Sequence, residues 1–235
     1  MDVKQSIRET IWNRFEEEEI ARFPFPPHHR IPNFAGAEKA ADRLAALDVW
    51  DTATTIKINP DAPQRPVRQR ALASGKRLYM AVPRLADEKP FIELDPADIP
   101  DPAKAATIGG ANEYGTPVTL QSMENIDMIV TGSVAVGENG VRVGKGEGYS
   151  DLEFALLQDA GTVNKETTIV TSIHESQYLN REITPAPHDV PMERIITPSS
   201  TIVVESNVPR PQGINWNALT EEHLATIPVL EELRE

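Results

Sequence analysis

The chain has 235 residues, 40% hydrophobic and 25% charged, which is enough apolar surface to close a core and excludes wholesale disorder. Its 36 acidic and 23 basic residues leave a net charge of −13, which repels phosphate backbones and argues against a nucleic-acid partner. Having no cysteine, it can form no disulfide, thiolate zinc site, iron–sulfur centre or cysteine nucleophile, so any catalysis must use oxygen, nitrogen or metal chemistry.

Residues 2–20 place Ile7, Ile11, Trp12 and Phe15 at helical spacing, with Lys4 and Arg8 one turn apart, which predicts an amphipathic opening helix. The acidic run Glu16–Glu19 reads as a solvated face. Prolines 24, 26, 27 and 32 prevent the helix from continuing through 22–35. That segment is expected to wrap the domain as an ordered loop, with Phe23, Phe25 and Phe34 buried. His28 and His29 within it read as a surface feature rather than metal ligands.

A second helix fits 36–48, apolar at Ala37, Ala40, Ala41, Leu44 and Leu47, and ends near Trp50. β-branched content predicts a strand over 54–58, followed by a turn, a helix near 66–73 and a stop at Gly75. Strands are expected at 77–82 and 91–94, with an irregular stretch through about 103. The apolar runs 126–132 and 167–173 have the length and composition of strands buried on both faces, and a Gly-rich turn and a helix at 152–161 lie between them.

Further short strands fit 192–197 and 201–206, one at a sheet edge. The tail ends in a helix that Thr220 would cap, with His223 where a capping box carries Glu. Trp50 and Trp216 read as packing anchors before stacking platforms, and His174 and His188 lack zinc spacing. Strands alternating with helices predict a mostly parallel α/β sheet in one domain over 1–235, with loop 22–35 and a C-terminal extension at 207–235. No run approaches the roughly 20 apolar residues of a membrane span, and the first residues lack signal-peptide order, so a cytoplasmic protein is expected.

The segment Arg142-Val-Gly-Lys-Gly-Glu-Gly-Tyr-Ser-Asp151 follows a strand and opens a helix. Glycines at 144, 146 and 148 would let successive N–H groups face one point in front of the helix N-terminus, which forms a phosphate cradle. Arg142 and Lys145 would neutralise phosphate oxygens, and Asp151 would hold a Mg²⁺ that bridges them. A glycine-rich turn with a capping acid is the plainer reading, and the spacing fits neither a P-loop nor a dinucleotide fingerprint.

The pattern R-x-G-x-G-x-G-Y-x-D after an I-D-x-I strand resembles the signature of 5-formyltetrahydrofolate cyclo-ligases. Lys4 and Arg8 are similar to the K-x-x-x-R of that family's first helix. Arg68 with Gly75-Lys76-Arg77, and His188-Asp189 with Ile195-Ile196-Thr197, resemble two further family segments. Segments 31–44, 57–68 and 210–230 resemble the subgroup that carries a methenyltetrahydrofolate synthetase domain.

The resemblance implies a three-layer α/β/α fold related to the sugar-phosphate isomerase and CoA-transferase superfold. It also implies a reaction in which ATP and Mg²⁺ activate the formyl oxygen of 5-formyltetrahydrofolate as a phosphate ester. N10 then attacks, and loss of phosphate leaves 5,10-methenyltetrahydrofolate, with ADP as the other product. Such chemistry needs a γ-phosphate clamp and a metal to neutralise developing charge. On this reading Lys4, Arg8, Arg142 and Lys145 bind phosphates, Gly144, Gly146, Gly148 and Tyr149 form the cradle, and Asp151 and Asp189 are the metal acids. The partners are ATP and a reduced folate, and the protein is a monomer or weak homodimer.

Two departures favour a second reading, a nucleotide- or pterin-binding module without turnover. The family's E-x-x-T segment is missing where 59–65 stands, leaving Asp61 as the only acid there, and Glu147 and Ser150 replace a glycine and the second aromatic of the turn. An isomerase or transferase of the same superfold fits less well, because neither reaction explains a clamp-and-metal set. Asp151→Ala is expected to abolish turnover by stripping metal while changing folding stability little, which activity and denaturation assays check.

Overall fold

The β-branched segment Thr55–Ile58 (β3) has both faces covered and forms the centre of an eight-stranded sheet. The computed structural model describes residues 2–234. The helices are α1 Val3–Glu17, α2 Ala37–Ala45, α3 Asp48–Thr52, α4 Arg65–Ala73, α5 Pro102–Ala105, α6 Ile108–Tyr114, α7 Tyr149–Asp159, α8 Glu221–Thr226 and α9 Pro228–Glu232. Two short strands, β1 Ala21–Arg22 and β2 Asn33–Phe34, pair with each other. The remaining strands are β4 Arg77–Ala81, β5 Phe91–Leu94, β6 Thr116–Val118, β7 Met128–Thr131, β8 Ala135–Gly137, β9 Arg142–Val143, β10 Thr168–Ser172, β11 Tyr178–Leu179, β12 Arg194–Ile196 and β13 Thr201–Val203.

The main sheet runs β13-β12-β10-β7-β3-β4-β5-β6. Strands β12, β10, β7, β3 and β4 are parallel, whereas β13 pairs antiparallel with β12 at one edge and at the other β5 pairs antiparallel with β4 and β6 with β5. The mostly parallel sheet and the edge strand at 201–203 match the sequence reading. Residues 135–143 are more ordered than the expected Gly-rich turn, because β8 and β9 join β11 in a second, three-stranded sheet.

Alternation along the strands sorts the core into two layers. Ile56, Ile58, Met128, Val130 and Val170 face α1, α2 and α4. Ile129, Ile169 and Ile195 face α7 and α9. Helices on both faces make the three-layer arrangement. The order of β3 and β7 is set at their amino ends by Asp127, whose carboxylate accepts from the Thr54 N–H at 2.7 Å, the Thr54 hydroxyl at 2.9 Å and the Thr55 N–H at 3.0 Å. Burial pushes that carboxyl up, but these three bonds hold it below its ordinary range.

The Pro-rich loop departs from expectation. Phe34 is buried at 2% exposure, but Phe23 and Phe25 are 79% and 61% exposed. Pairing of β1 with β2 ties the two ends of the loop together, so its tip projects outward and burial passes to Ile31 and Phe34. The second helix also breaks in two, at Leu47, whose extended backbone separates α2 from α3. Trp50 is buried at 2% beneath the Lys76 ammonium, as a packing anchor, whereas Trp216 stays 37% exposed.

At α8 the Thr220 hydroxyl accepts from the His223 N–H at 3.1 Å and His223 Nδ1 accepts from the Thr220 N–H at 3.4 Å, so a histidine closes the capping box. Among the described residues, no helix is long and apolar enough to cross a membrane. Because Leu156 on α7 is completely buried, Leu156→Ala should cost about 2–5 kcal/mol in urea denaturation; a cost under about 1 kcal/mol would contradict this seating of α7.

Candidate active site

Strand β4 lies on one side of β3, while β7 and β10 lie on the other. The order in which strands are laid down therefore reverses between the parallel neighbours β3 and β7, and the crevice beyond their carboxyl ends is the place where such sheets bind ligands. Into it run Asn59 and Asp61 after β3, Gly132 after β7, and the turn 144–148 that leads into α7.

Gly132 is required by close approach. A Cβ there would sit 2.9 Å from Asp61 Oδ2, Gln64 Oε1 and an Ile31 methyl. The loop after β3 is held by Arg68, which is buried at 2% exposure and donates to the carbonyls of Asn59 at 2.5 Å, Asp61 at 3.0 Å and Ala106 at 2.8 Å. Burial brings the Arg68 pKa down to about 10. Burial, first, pushes the Asp61 carboxyl above its ordinary value; Lys145 pulls it back, Glu153 adds to the rise, and Arg68 and Lys57 oppose it.

In the turn itself Gly146 and Gly148 adopt φ of +112° and +76°, and Gly148 sits at the N-cap of α7. These left-handed positions favour glycine and turn the backbone toward the helix N-terminus. Arg8 steadies the turn, its Nε donating to the Gly144 carbonyl at 2.7 Å. A cavity of about 180 Å³ in front of it is lined by Lys4, Arg8, Asp61, Arg142, Gly144, Lys145, Gly146, Gly148, Tyr149, Asp151 and Asp189. Every site residue picked out from the sequence thus meets in one place.

Several of these side chains are already paired. Arg142 is buried, donating to Asp151 Oδ2 at 2.8 Å and to the Gly132 carbonyl at 3.2 Å. Lys4 meets Asp189 at 2.5 Å, and Asp189 also accepts from the Ala186 N–H at 2.7 Å. Lys145 lies 2.7 Å from Glu147, both partly open to solvent. Arg142 and Asp151 therefore brace β9 against α7, and Lys145 is the more accessible cation for an incoming anion. Among the described residues, no three His, Asp or Glu side chains gather as a metal site by themselves. Asp151 Oδ1 accepts only a 3.3 Å bond from the Val190 N–H, which leaves it with lone pairs that could take a cation.

Sequence reasoning missed Lys57 and Glu153. They form a buried ion pair between β3 and α7, 1% and 6% exposed. Lys57 Nζ also donates to Asn59 Oδ1 at 2.6 Å, and Asn59 Nδ2 donates to Ser150 Oγ at 2.6 Å. The available signal was one lysine in an otherwise apolar strand and one glutamate in the apolar stretch 152–157, opposite charges that each need a partner once buried. Asn59, Asp61, Lys145 and Ser150 also line a second, larger cavity of about 640 Å³, so the two hollows share a wall.

Two expectations follow from these contacts. Asp151→Ala would leave the Arg142 guanidinium buried without its partner, so it should cost about 3–5 kcal/mol of stability in denaturation, which reverses the sequence expectation of little change. For Asp61 the raised pKa means that the fold binds a proton more tightly than the unfolded chain, so its contribution is present at low pH and lost as pH rises through the shifted value. Asp61→Asn should therefore melt a few degrees above the wild type at pH 7, with the gap closing toward pH 4; an unchanged or lowered melting temperature at pH 7 would contradict the burial penalty.

A model of the 5-formyltetrahydrofolate cyclo-ligase family matches residues 1–198. The chain is 45% identical over 236 residues to a methenyltetrahydrofolate synthase domain-containing protein of Mus musculus, a match covering 99% of this chain and 63% of that protein. The Bos taurus protein of the same description is 43% identical, over 98% of this chain and 62% of its own length. The chain thus spans about three-fifths of the length of these curated relatives.

In fold it is similar to the NMR structure of Aquifex aeolicus 5,10-methenyltetrahydrofolate synthetase, with a TM-score of 0.56 at 18% identity over 93% of this chain and 100% of that one. It is also similar to the Mycoplasma pneumoniae 5,10-methenyltetrahydrofolate synthetase, with a TM-score of 0.50 at 14% identity over 83% of this chain and 98% of that one. The family model and the curated relatives show that the chain belongs to the 5-formyltetrahydrofolate cyclo-ligase family.

Proposed function

We propose that the protein is an ATP- and Mg²⁺-dependent cyclo-ligase that converts 5-formyltetrahydrofolate to 5,10-methenyltetrahydrofolate, releasing ADP and phosphate. The observation that carries this reading is the shared wall of the two cavities, a cationic phosphate cradle opening beside a chamber large enough for a pterin. Lys145 and Arg8, with Lys4 behind them, neutralise the phosphates, and the α7 N-terminus adds its positive potential. Asp151 is the protein carboxylate best placed to hold Mg²⁺, which when bound neutralises charge on the transferring phosphoryl group.

In the larger cavity Asp61 stands at the boundary and orients the substrate, in place of the missing glutamate. Arg30, Arg65 and Arg84 line the same cavity and suit the anionic tail of a folate. Arg30 Nε is buried without a partner, a donor that a carboxylate would satisfy. Arg142 acts through Asp151 and positions the metal carboxylate. A reduced-folate binder without turnover is the second reading, favoured by the pairing of Lys145 with Glu147, which places a carboxylate where phosphates would enter.

Absorbance at the near-ultraviolet band of the methenyl product separates the two readings, in mixtures with 5-formyltetrahydrofolate and Mg²⁺, with and without ATP. The cyclo-ligase requires growth of that band only when ATP is present, and Lys145→Ala should weaken nucleotide binding about tenfold in calorimetry. A flat trace with both ATP and folate binding intact in calorimetry would establish the binder, and unchanged nucleotide affinity in the variant would remove Lys145 from the clamp.

A further inference from the structure

We propose that Ser150 is a polarised hydrogen-bond donor to the formyl oxygen of the bound substrate, aimed by a buried relay that begins at Lys57. The assignment rests on the folate reading of the larger cavity. The Lys57 ammonium can only donate, and it is closed in by Glu153 and by Asn59 Oδ1 at 2.6 Å.

That contact fixes the Asn59 amide, because the flipped orientation would set its NH₂ group against the ammonium. Asn59 Nδ2 must then face Ser150, whose Oγ accepts at 2.6 Å. With a lone pair of Ser150 committed inward, its proton is left to point elsewhere, and among the described residues its hydroxyl donates to nothing.

Ser150 is half-buried on the wall common to the phosphate cradle and the larger cavity. A charge-assisted bond at the start of the chain polarises the bonds after it, so the outward O–H is a better donor than a free serine. In the proposed reaction the formyl oxygen must lie at this junction, because it takes up the phosphoryl group. A neutral O–H pointing there fits a carbonyl oxygen and helps draw the formyl group into line. Ser150 thus keeps a donor where the related pattern carries its second aromatic residue. Lys57 and Asn59 are positioning residues that act through it.

The test compares calorimetric affinities of the full chain for 5-formyltetrahydrofolate and 5-methyltetrahydrofolate, which lacks the acceptor oxygen. Ser150→Ala should weaken the formyl compound about five- to tenfold and leave the methyl compound unchanged, with Ser150→Thr restoring the difference. Asn59→Asp keeps the size of the side chain and a partner for Lys57 but makes the relay accept from Ser150, turning the proton inward. It should reproduce the Ser150→Ala loss.

Equal losses for both folates, or unchanged formyl affinity in Ser150→Ala or Asn59→Asp, would overturn the donor assignment. A loss confined to a non-hydrolysable ATP analogue would give the hydroxyl to a phosphate oxygen and overturn the formyl assignment. Failure of the wild type to bind either folate would overturn the reading of the cavity and the donor with it.

Discussion

The buried ion pair between Lys57 and Glu153 is the constraint on which the site depends. Each charge loses several kcal/mol of hydration on burial, and only a close partner with further hydrogen bonds offsets that loss. Lys57 stands on the central strand and Glu153 on α7, so the pair fixes the helix against the sheet at one position. The turn 144–148 leads directly into that helix, and Asn59 follows that strand. One contact thereby places the glycine turn, the Asn59–Ser150 bond and the loop bearing Asp61 relative to one another.

Charge is distributed to match. A chain with a net charge of −13 repels anions at long range, yet Lys4, Arg8, Arg142 and Lys145 converge on one cavity. Arg142 and Lys4 are partly spent on Asp151 and Asp189, which hold α7, α1 and the 186–190 turn together. That leaves Lys145, Arg8 and the glycine N–H groups to meet a ligand, and Arg68 and Gly132 to hold the opposite wall. The division separates groups that build the cradle from groups that use it.

Much of this was legible in the sequence. The glycine turn, Lys4, Arg8 and Asp189 carry local patterns, while β3, β7 and β10 announce themselves by β-branched runs and β4 by an apolar one. Lys57 and Glu153 did not, because 96 positions separate them and their pairing exists only once β3 and α7 pack. The exposure of Phe23 and Phe25 was equally hidden, since side-chain apolarity says nothing about where the β1–β2 pairing aims a loop. The short strands β8, β9 and β11 lack strand periodicity of their own and exist through pairing with each other. The role of Arg142 in bracing Asp151 was also invisible, because an arginine beside a glycine turn reads the same whether it holds a phosphate or an aspartate.

On the proposed reading, the cradle and the larger cavity are two halves of one site that holds nucleotide and reduced folate together. Calorimetric titration of 5-formyltetrahydrofolate into the chain already saturated with Mg²⁺ and a non-hydrolysable ATP analogue tests it directly. One folate should bind per chain with the nucleotide retained. Competition between the two ligands, or nucleotide binding with no folate binding, would contradict it.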